Sequence, residues 1–446
     1  MPPLLLNGLK IFAVIACTAA LMAGLAVYQR RRSPHPEWAR KLMHMGSGLI
    51  ALALPWLFSE TWPVIVLALL ASGGMFALKY VRRLRSGLGA VTGSVVRSTL
   101  GEVWFPLGAG TVFALSGGDK LLYSIPILIL TFADASAALI GIFYGVYRYT
   151  ASDGPKTLEG SLAFFQTAFL SALIPILLFT EIGRTETLLI SLLMGLLSML
   201  LDAMAWQGLD NLLIPVLSFL LLRAFVNLDA AVLLAQFAVT LAMIAFVIFW
   251  RKRTTLNDSA LMGTVVYGYV CWTLGGWAWV LPPLLLFLIY NTVSSQDAPR
   301  SEPLYSAPVM LGVGAAGLFW LIWGDILNRP SLFFPFLLSF ATQLAMIRSS
   351  RPLRAGAPGR AHLLLARSVV MSWAIYVLPY MAVTGWTRHA WIYPAAGLLA
   401  IGSGAALFAA SQMGPDGYRN TAPRWLIQTL CAGLASVFGF AAVQLV

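Results

Sequence analysis

Residues 8–28 read GLKIFAVIACTAALMAGLAVY, and the arginines Arg30, Arg31 and Arg32 follow almost at once. A helix that crosses a bilayer needs about 20 predominantly apolar residues, and this stretch is that long. It is too long for the core of a signal peptide and has no clear small-residue cleavage site. We therefore expect it to be retained as the first membrane span.

The composition extends this expectation to the whole chain. Of the 446 residues, 59% are hydrophobic and 10% are Asp, Glu, Lys or Arg, whereas a soluble domain carries about 25% charged residues. This excludes a water-soluble enzyme, a disordered chain, a secreted disulfide scaffold and a DNA-binding domain. Long unbroken apolar runs, rather than alternation, favour helices over a β-barrel. The predicted fold class is an all-α polytopic membrane protein with about 14–16 transmembrane helices.

The net charge of +12 reports topology rather than a nucleic-acid partner. If the N-terminus is outside, every basic cluster falls on one side of the membrane, as the positive-inside rule requires of the cytoplasmic side. These clusters lie at 29–45, 80–103, 146–160, 251–257 and 348–367. We predict an integral membrane protein with this face in the cytoplasm.

The chain divides into two halves, 1–250 and 251–446, that differ in polar content. The first half holds nearly all the polar residues that suggest chemistry, and four segments in it stand out. All four are predicted to lie on or near the cytoplasmic face.

The first segment contains Arg40, Lys41 and His44. On a helix, Arg40 and His44 share a face, and a basic pair beside an imidazole could bind phosphate. A positive-inside anchor with an interfacial histidine is the alternative.

The second segment places Asp134 in an apolar span, where an ionised carboxylate costs at least ~2.5 kcal/mol. Gly141 and Gly145 fall on the same helix face and allow a helix or a ligand to approach closely. Asp134 is a candidate magnesium ligand, unless it serves a tight helix pair.

The third segment is Ser152-Asp153-Gly154-Pro155-Lys156-Thr157-Leu158-Glu159-Gly160-Ser161. Thr157 is a natural N-cap, and the free N–H groups of a helix start beside a lysine form an anion site. Glu159 in the first turn could hold a magnesium ion that bridges to phosphate. A capped cytoplasmic turn is the alternative.

The fourth segment contains Asp202 and then Gly208-Leu209-Asp210-Asn211, with Pro215 one turn later. Asp210 and Asn211 offer adjacent oxygen ligands, and Pro215 can open backbone carbonyls toward them. A helix-capping Asp-Asn turn would explain the same residues.

Together these segments supply hard oxygen ligands and balancing cations. Oxygen ligands favour Mg²⁺, and the three cysteines are too scattered to form a thiolate site. Carboxylates, magnesium and a lysine are the parts that phosphoryl or nucleotidyl transfer requires. The residues thus predict a magnesium-dependent transferase that acts on a lipid at the cytoplasmic interface, with a carboxylate as possible general base. The candidate metal ligands are Asp134, Glu159, Asp202 and Asp210, and the cations are Arg40, Lys41 and Lys156.

These four motifs, in this order, resemble the integral-membrane dolichol kinase, phytol kinase and farnesol kinase family, which is distantly similar to phosphatidate cytidylyltransferases. The resemblance covers about residues 35–225. It implies phosphorylation of an isoprenoid alcohol (phytol, farnesol, geranylgeraniol or a dolichol/polyprenol), with CTP or another nucleoside triphosphate as donor and Mg²⁺ as cofactor. It further implies catalytic roles for Asp134, Lys156, Glu159 and Asp210. The substrate- or nucleotide-binding residues that it implies are Arg40, Lys41, His44, Gly141, Gly145, Thr157, Gly160, Ser161 and Asn211.

The second half loosely resembles a membrane family that includes phytyl-phosphate kinases, through Leu256–Gly263, Leu274–Trp279 and Asn291. The acidic motif expected after the first hairpin is missing, and Asp325 and Asp416 lack acidic partners in the sequence. We therefore expect residues 251–446 to be degenerate or structural.

Two other functions are compatible with parts of the pattern. A cytidylyltransferase that makes a CDP-lipid would use a similar donor, magnesium and carboxylates. A secondary transporter would use Asp134 for coupling, but it predicts polar features near the midplane of both halves.

Overall fold

The structure is a computed structural model that describes residues 3–80, 100–151, 154–204, 206–251, 256–294, 306–354, 361–385, 391–412 and 421–444. Ser152 and Asp153 of the third motif, Asp416, and the basic residues within 81–99 lie outside this part. The described helices are α1 (Pro3–Arg32), α2 (Pro36–Leu52), α3 (Leu54–Leu57), α4 (Thr61–Tyr80), α5 (Gly101–Ser116), α6 (Lys120–Leu128), α7 (Asp134–Tyr144), α8 (Leu158–Phe179), α9 (Arg184–Ala203), α10 (Asp210–Phe225), α11 (Ala230–Trp250), α12 (Asp258–Gly275), α13 (Trp277–Ser294), α14 (Ala307–Leu327), α15 (Phe333–Arg354), α16 (Ala361–Thr384), α17 (Ile392–Ser411) and α18 (Ala422–Gln444).

The all-α membrane class is confirmed. Within the described residues, 11 helices are long and apolar enough to cross a membrane. The sequence-based count is higher because it included shorter apolar stretches. Two of these belong to α5 and α10, which have 16 residues each, somewhat less than the roughly 20 that a straight span needs.

The chain forms two compact units, Met1–Phe249 and Trp250–Val446. In the first unit, α9 is buried along most of its length and packs against α8 and α10. Its buried residues lie on several sides of the helix rather than along one stripe, as in a helix that is enclosed by others. Other elements of this unit therefore pack around α9.

Two elements that are not α-helical, a π-turn and a β-hairpin, lie next to the candidate motifs in the first unit. Ile129–Ala133 forms a π-helical turn between α6 and α7, and Asp134 follows it directly. Single π-turns inside helices are often found at functional sites. Because the turn immediately precedes Asp134, it sets the direction in which the Asp134 side chain points.

The second element is a β-hairpin that the sequence did not predict. Strand β1 (Arg148–Ala151) pairs antiparallel with β2 (Gly154–Thr157), so that Arg148 lies opposite Thr157 and Tyr149 opposite Lys156. Gly154 has φ +114°, a left-handed conformation that glycine adopts without steric cost. The hairpin presents Lys156 at the end of its second strand.

In the second unit, α15 is the central helix, with α13, α14, α16, α17 and α18 packed around it. Hydrogen bonds between helices join Trp320 Nε1 to Ser436 Oγ (2.8 Å) and Tyr376 Oη to the carbonyl of Pro282 (3.0 Å). Asn257, from the motif that resembles phytyl-phosphate kinases, caps α12 by accepting a hydrogen bond from Ala260 N. That asparagine therefore has a structural role.

Candidate active site

Three aspartates from three helices meet in the first unit. Asp134 is the first residue of α7, Asp202 is the penultimate residue of α9, and Asp210 begins α10. One carboxylate oxygen from each lies within 4.8 Å of the others. The structure thus brings together three of the four carboxylates that the sequence proposed.

Two lysines neutralise two of these aspartates. Lys41 Nζ lies 2.6 Å from Asp134 Oδ2, and Lys156 Nζ lies 2.7 Å from Asp202 Oδ2. The Lys41 side chain is 2% exposed, and a lysine that deeply buried requires an opposite charge because desolvation is costly. Lys41, expected to bind substrate or nucleotide, is therefore an ion-pair partner of Asp134 in the structure.

His44 lies on the same side of Asp134 as Lys41. Its Nε2 is 3.0 Å from the carbonyl oxygen of Leu130, in the π-turn, and 3.3 Å from Asp134 Oδ2. The imidazole also packs edge-on against Phe105. His44 thus fixes the approach of α2 to the turn that carries Asp134.

Asp210 and Asn211 have unused oxygens at the same place. Asp210 Oδ1 and Asn211 Oδ1 are both buried and have no hydrogen-bond partner among the described residues. Burial, together with the negative charges of Asp134 and Asp202, raises the pKa of Asp210 to about 6. Three clustered carboxylates and an adjacent amide oxygen are the donor set of a hard divalent cation, so these residues fit Mg²⁺.

The turn before Asp210 is pressed against the start of α5. Gly208 has φ +82°, and a Cβ there would collide with the backbone of Gly101. Leu100 N donates to Gln207 O at 3.0 Å, and Asn211 Nδ2 donates to Gly208 O at 3.3 Å. The glycine of the Gly-Leu-Asp-Asn motif therefore permits a close contact that positions Asp210.

The third motif has the predicted helix cap. Thr157 Oγ1 accepts a hydrogen bond from Gly160 N at 3.1 Å, which confirms it as the N-cap of α8. Ser161 Oγ contacts Tyr149 Oη of β1 at 2.9 Å. Burial alone would lower the pKa of Lys156, but the charge and hydrogen bond of Asp202, together with Tyr149 and Asp210, outweigh burial, and the pKa is raised. Lys156 thus remains a cation.

Two other predicted residues have local partners. Glu159 is not part of the three-aspartate cluster; its carboxylate accepts hydrogen bonds from Tyr147 N at 3.2 and 3.3 Å. Arg40 forms a paired contact with Glu37, with its Nε 2.9 Å from Oε2. The roles that the sequence assigns to Glu159 as a metal ligand and to Arg40 in substrate binding stay predictions.

The three glycines predicted to bind substrate lie at a contact between α7 and α8. A Cβ at Gly141 would lie 3.0 Å from Thr157 Oγ1, and one at Gly160 would lie 2.8 Å from Ala137 O. At Gly145 it would lie 2.8 Å from Thr157 Cβ, with other atoms closer still. For Gly141 and Gly145, the sequence left open the approach of a helix or of a ligand, and the structure shows the helix contact. Substrate binding by the three glycines stays a prediction.

Gly145→Ala is therefore expected to lower the free energy of unfolding by about 1–3 kcal/mol, because the added methyl group overpacks the contact with Thr157. Thermal unfolding in detergent would measure the change. Gly73→Ala is a matched control, since nothing lies within 4 Å of its Cβ position and alanine favours a helix. Equal stability of the two variants would contradict the packing role.

The fold and this site define the protein as a polytopic helical membrane protein with a buried centre of aspartates and lysines. The chain is 28% identical over 187 residues to a protein named phytol kinase from Synechocystis sp., a match that covers 42% of this chain and 78% of that protein. No protein-family model matches the chain, and no solved structure does.

Proposed function

We propose that this chain transfers the γ-phosphoryl group of a nucleoside triphosphate to the hydroxyl group of a membrane-embedded isoprenoid alcohol. The expected donor is CTP, the cofactor Mg²⁺, and the site faces the cytoplasm. The observation that carries the proposal is the convergence of Asp134, Asp202 and Asp210 with two lysines in one buried site. The similarity to a phytol kinase supports an isoprenoid alcohol as the acceptor.

The arrangement suits phosphoryl transfer because that reaction depends on positioning and charge neutralisation. Asp134, Asp202 and Asp210 would hold the magnesium ion, which when bound neutralises charge on the phosphate oxygens. Lys41 and Lys156 already lie beside two of these carboxylates and add positive charge where the triphosphate would bind. The site thus offers carboxylates that would hold the metal and lysines that would neutralise the phosphates.

Asp134 and Asp202 each form an ion pair with a lysine, whereas Asp210 forms none within the described residues. We assign the carboxylate oxygen of Asp210 that does not hold the metal to accept the proton of the attacking hydroxyl group. The alcohol oxygen then bonds to the γ-phosphorus, the bond to the β-phosphate oxygen breaks, and the nucleoside diphosphate leaves. Thr157 and Ser161, at the start of α8, would orient the phosphates.

The proposal is tested with purified full-length protein in detergent, Mg²⁺ and γ-labelled CTP or ATP. Phytol, farnesol, geranylgeraniol, a polyprenol and diacylglycerol serve as acceptors. We expect magnesium-dependent label in the lipid phase with at least one isoprenoid alcohol, and loss of labelling when EDTA removes the metal.

Two results would redirect the proposal. A CDP-lipid formed from phosphatidate and α-labelled CTP, without γ-label transfer, would assign a cytidylyltransferase. No product in either assay would refute both enzymes and favour the transporter.

A further inference from the structure

The second unit contains a buried polar network in the contact between α15 and α18. It consists of Gln343, Ser350, Arg424 and Gln428, which we call the Arg424 network. Gln343 and Gln428 are fully buried, and Ser350 and Arg424 are nearly so. Buried polar groups in spanning bundles are costly, and they often mark binding sites.

The network is a chain of donors that starts at a cation. Arg424 Nη2 contacts Ser350 Oγ at 3.2 Å and Gln428 Oε1 at 3.5 Å. Gln428 Nε2 donates to Gln343 Oε1 at 2.7 Å. The chain ends at Gln343 Nε2, which is buried without an acceptor among the described residues. A buried N–H group without an acceptor is destabilising, so this donor calls for a partner.

The surroundings of the network favour an anion as the missing acceptor. The guanidinium of Arg424 lies over the Trp425 ring at 4.4 Å, a contact that holds the charge in place. In the sequence, Ser350 belongs to a stretch, 348–367, that has five arginines and no Asp or Glu. Basic pockets between spanning helices bind phosphate-bearing lipid headgroups.

We propose that the Arg424 network binds a phosphate group, whose oxygens accept hydrogen bonds from the Arg424 guanidinium and from Gln343 Nε2. The group could belong to an anionic membrane lipid, an isoprenyl phosphate or free phosphate. The site is independent of the function proposed for the first unit.

Native mass spectrometry of the full-length protein in detergent tests the site, with phosphatidylglycerol, farnesyl phosphate and inorganic phosphate titrated in separate arms. Diacylglycerol serves as the control lipid, because it has no phosphate group. Arg424→Gln is expected to weaken binding about ten- to hundredfold, as loss of a hydrogen bond to a charged group does. Arg367→Gln is the matched control, because this basic residue is exposed in the same stretch and its loss should leave affinity within about twofold.

Gln343→Glu separates binding from a purely structural role. It keeps the oxygen that accepts from Gln428 but replaces the unmet donor with a second, negatively charged oxygen. We expect the variant to remain folded, as checked by thermal unfolding, yet to lose phosphate binding because its carboxylate repels an anion. Retained affinity in both Arg424→Gln and Gln343→Glu, or equal retention of diacylglycerol, would overturn the proposal. The arm that binds most tightly identifies the source of the phosphate.

Discussion

Asp134→Asn is expected to lower the rate of phosphoryl transfer about 10³-fold, the upper end of what loss of one preorganised electrostatic group costs. The amide keeps the shape of the side chain but removes the charge that faces both Lys41 and the shared carboxylate site. Label transfer from γ-labelled CTP to the lipid phase measures the effect. Binding of Mn²⁺, followed by electron paramagnetic resonance, is expected to weaken in parallel.

Two other variants distinguish this site from acidic residues elsewhere. Glu159→Gln should change the rate far less than Asp134→Asn, because the Glu159 carboxylate bonds to Tyr147 N outside the cluster. Asp119→Asn, at an exposed helix cap, should leave the rate unchanged. If Glu159→Gln were as inactive as Asp134→Asn, the predicted role of Glu159 as a metal ligand would be restored and the three-aspartate assignment would be incomplete.

Lys41→Met is expected to destabilise the protein by about 3–5 kcal/mol, because it leaves the Asp134 carboxylate buried without its main partner. Unfolding in detergent, by heat or denaturant, provides the measurement. Lys120→Met, at an exposed lysine that contacts the Trp56 ring, should have little effect on stability.

The double variant Lys41→Met, Asp134→Asn makes the test of Lys41 specific. Removing both charges should recover much of the stability lost by Lys41→Met, while activity stays absent. Failure to recover stability would mean that Lys41 acts through packing rather than through its charge.

The class of fold and the elements of the site were predictable from the sequence because they follow from local composition. Apolar length predicts spanning helices, and Asp134, Asp202 and Asp210 are conspicuous in an apolar chain. The cap formed by Thr157 was also predictable, since it depends on residues within one turn.

Partners across the fold were not predictable. Lys41 is 93 positions from Asp134, and no local pattern distinguishes a lysine that binds phosphate from one that neutralises a carboxylate. The β-hairpin escaped prediction because each strand has four residues, of which β2 contains a glycine and a proline that weaken any strand signal. Tyr149 contacts Ser161, and Phe105 contacts His44. Neither aromatic residue belongs to one of the four sequence motifs, so neither contact was predicted.

The π-turn at Ile129–Ala133 has a consequence for how this chain can change over time. A π-turn contains one residue more than the α-helical turn it replaces, and each residue of an α-helix advances the direction of a side chain by about 100°. Loss of one residue from this turn would restore a regular α-helical turn of nearly the same rotation, so Asp134 would still face Asp202 and Asp210. A single-codon deletion in the regular helix α6 would instead rotate Asp134 by about 100° relative to the start of that helix, so the π-turn is the place where this span can change length and keep its site.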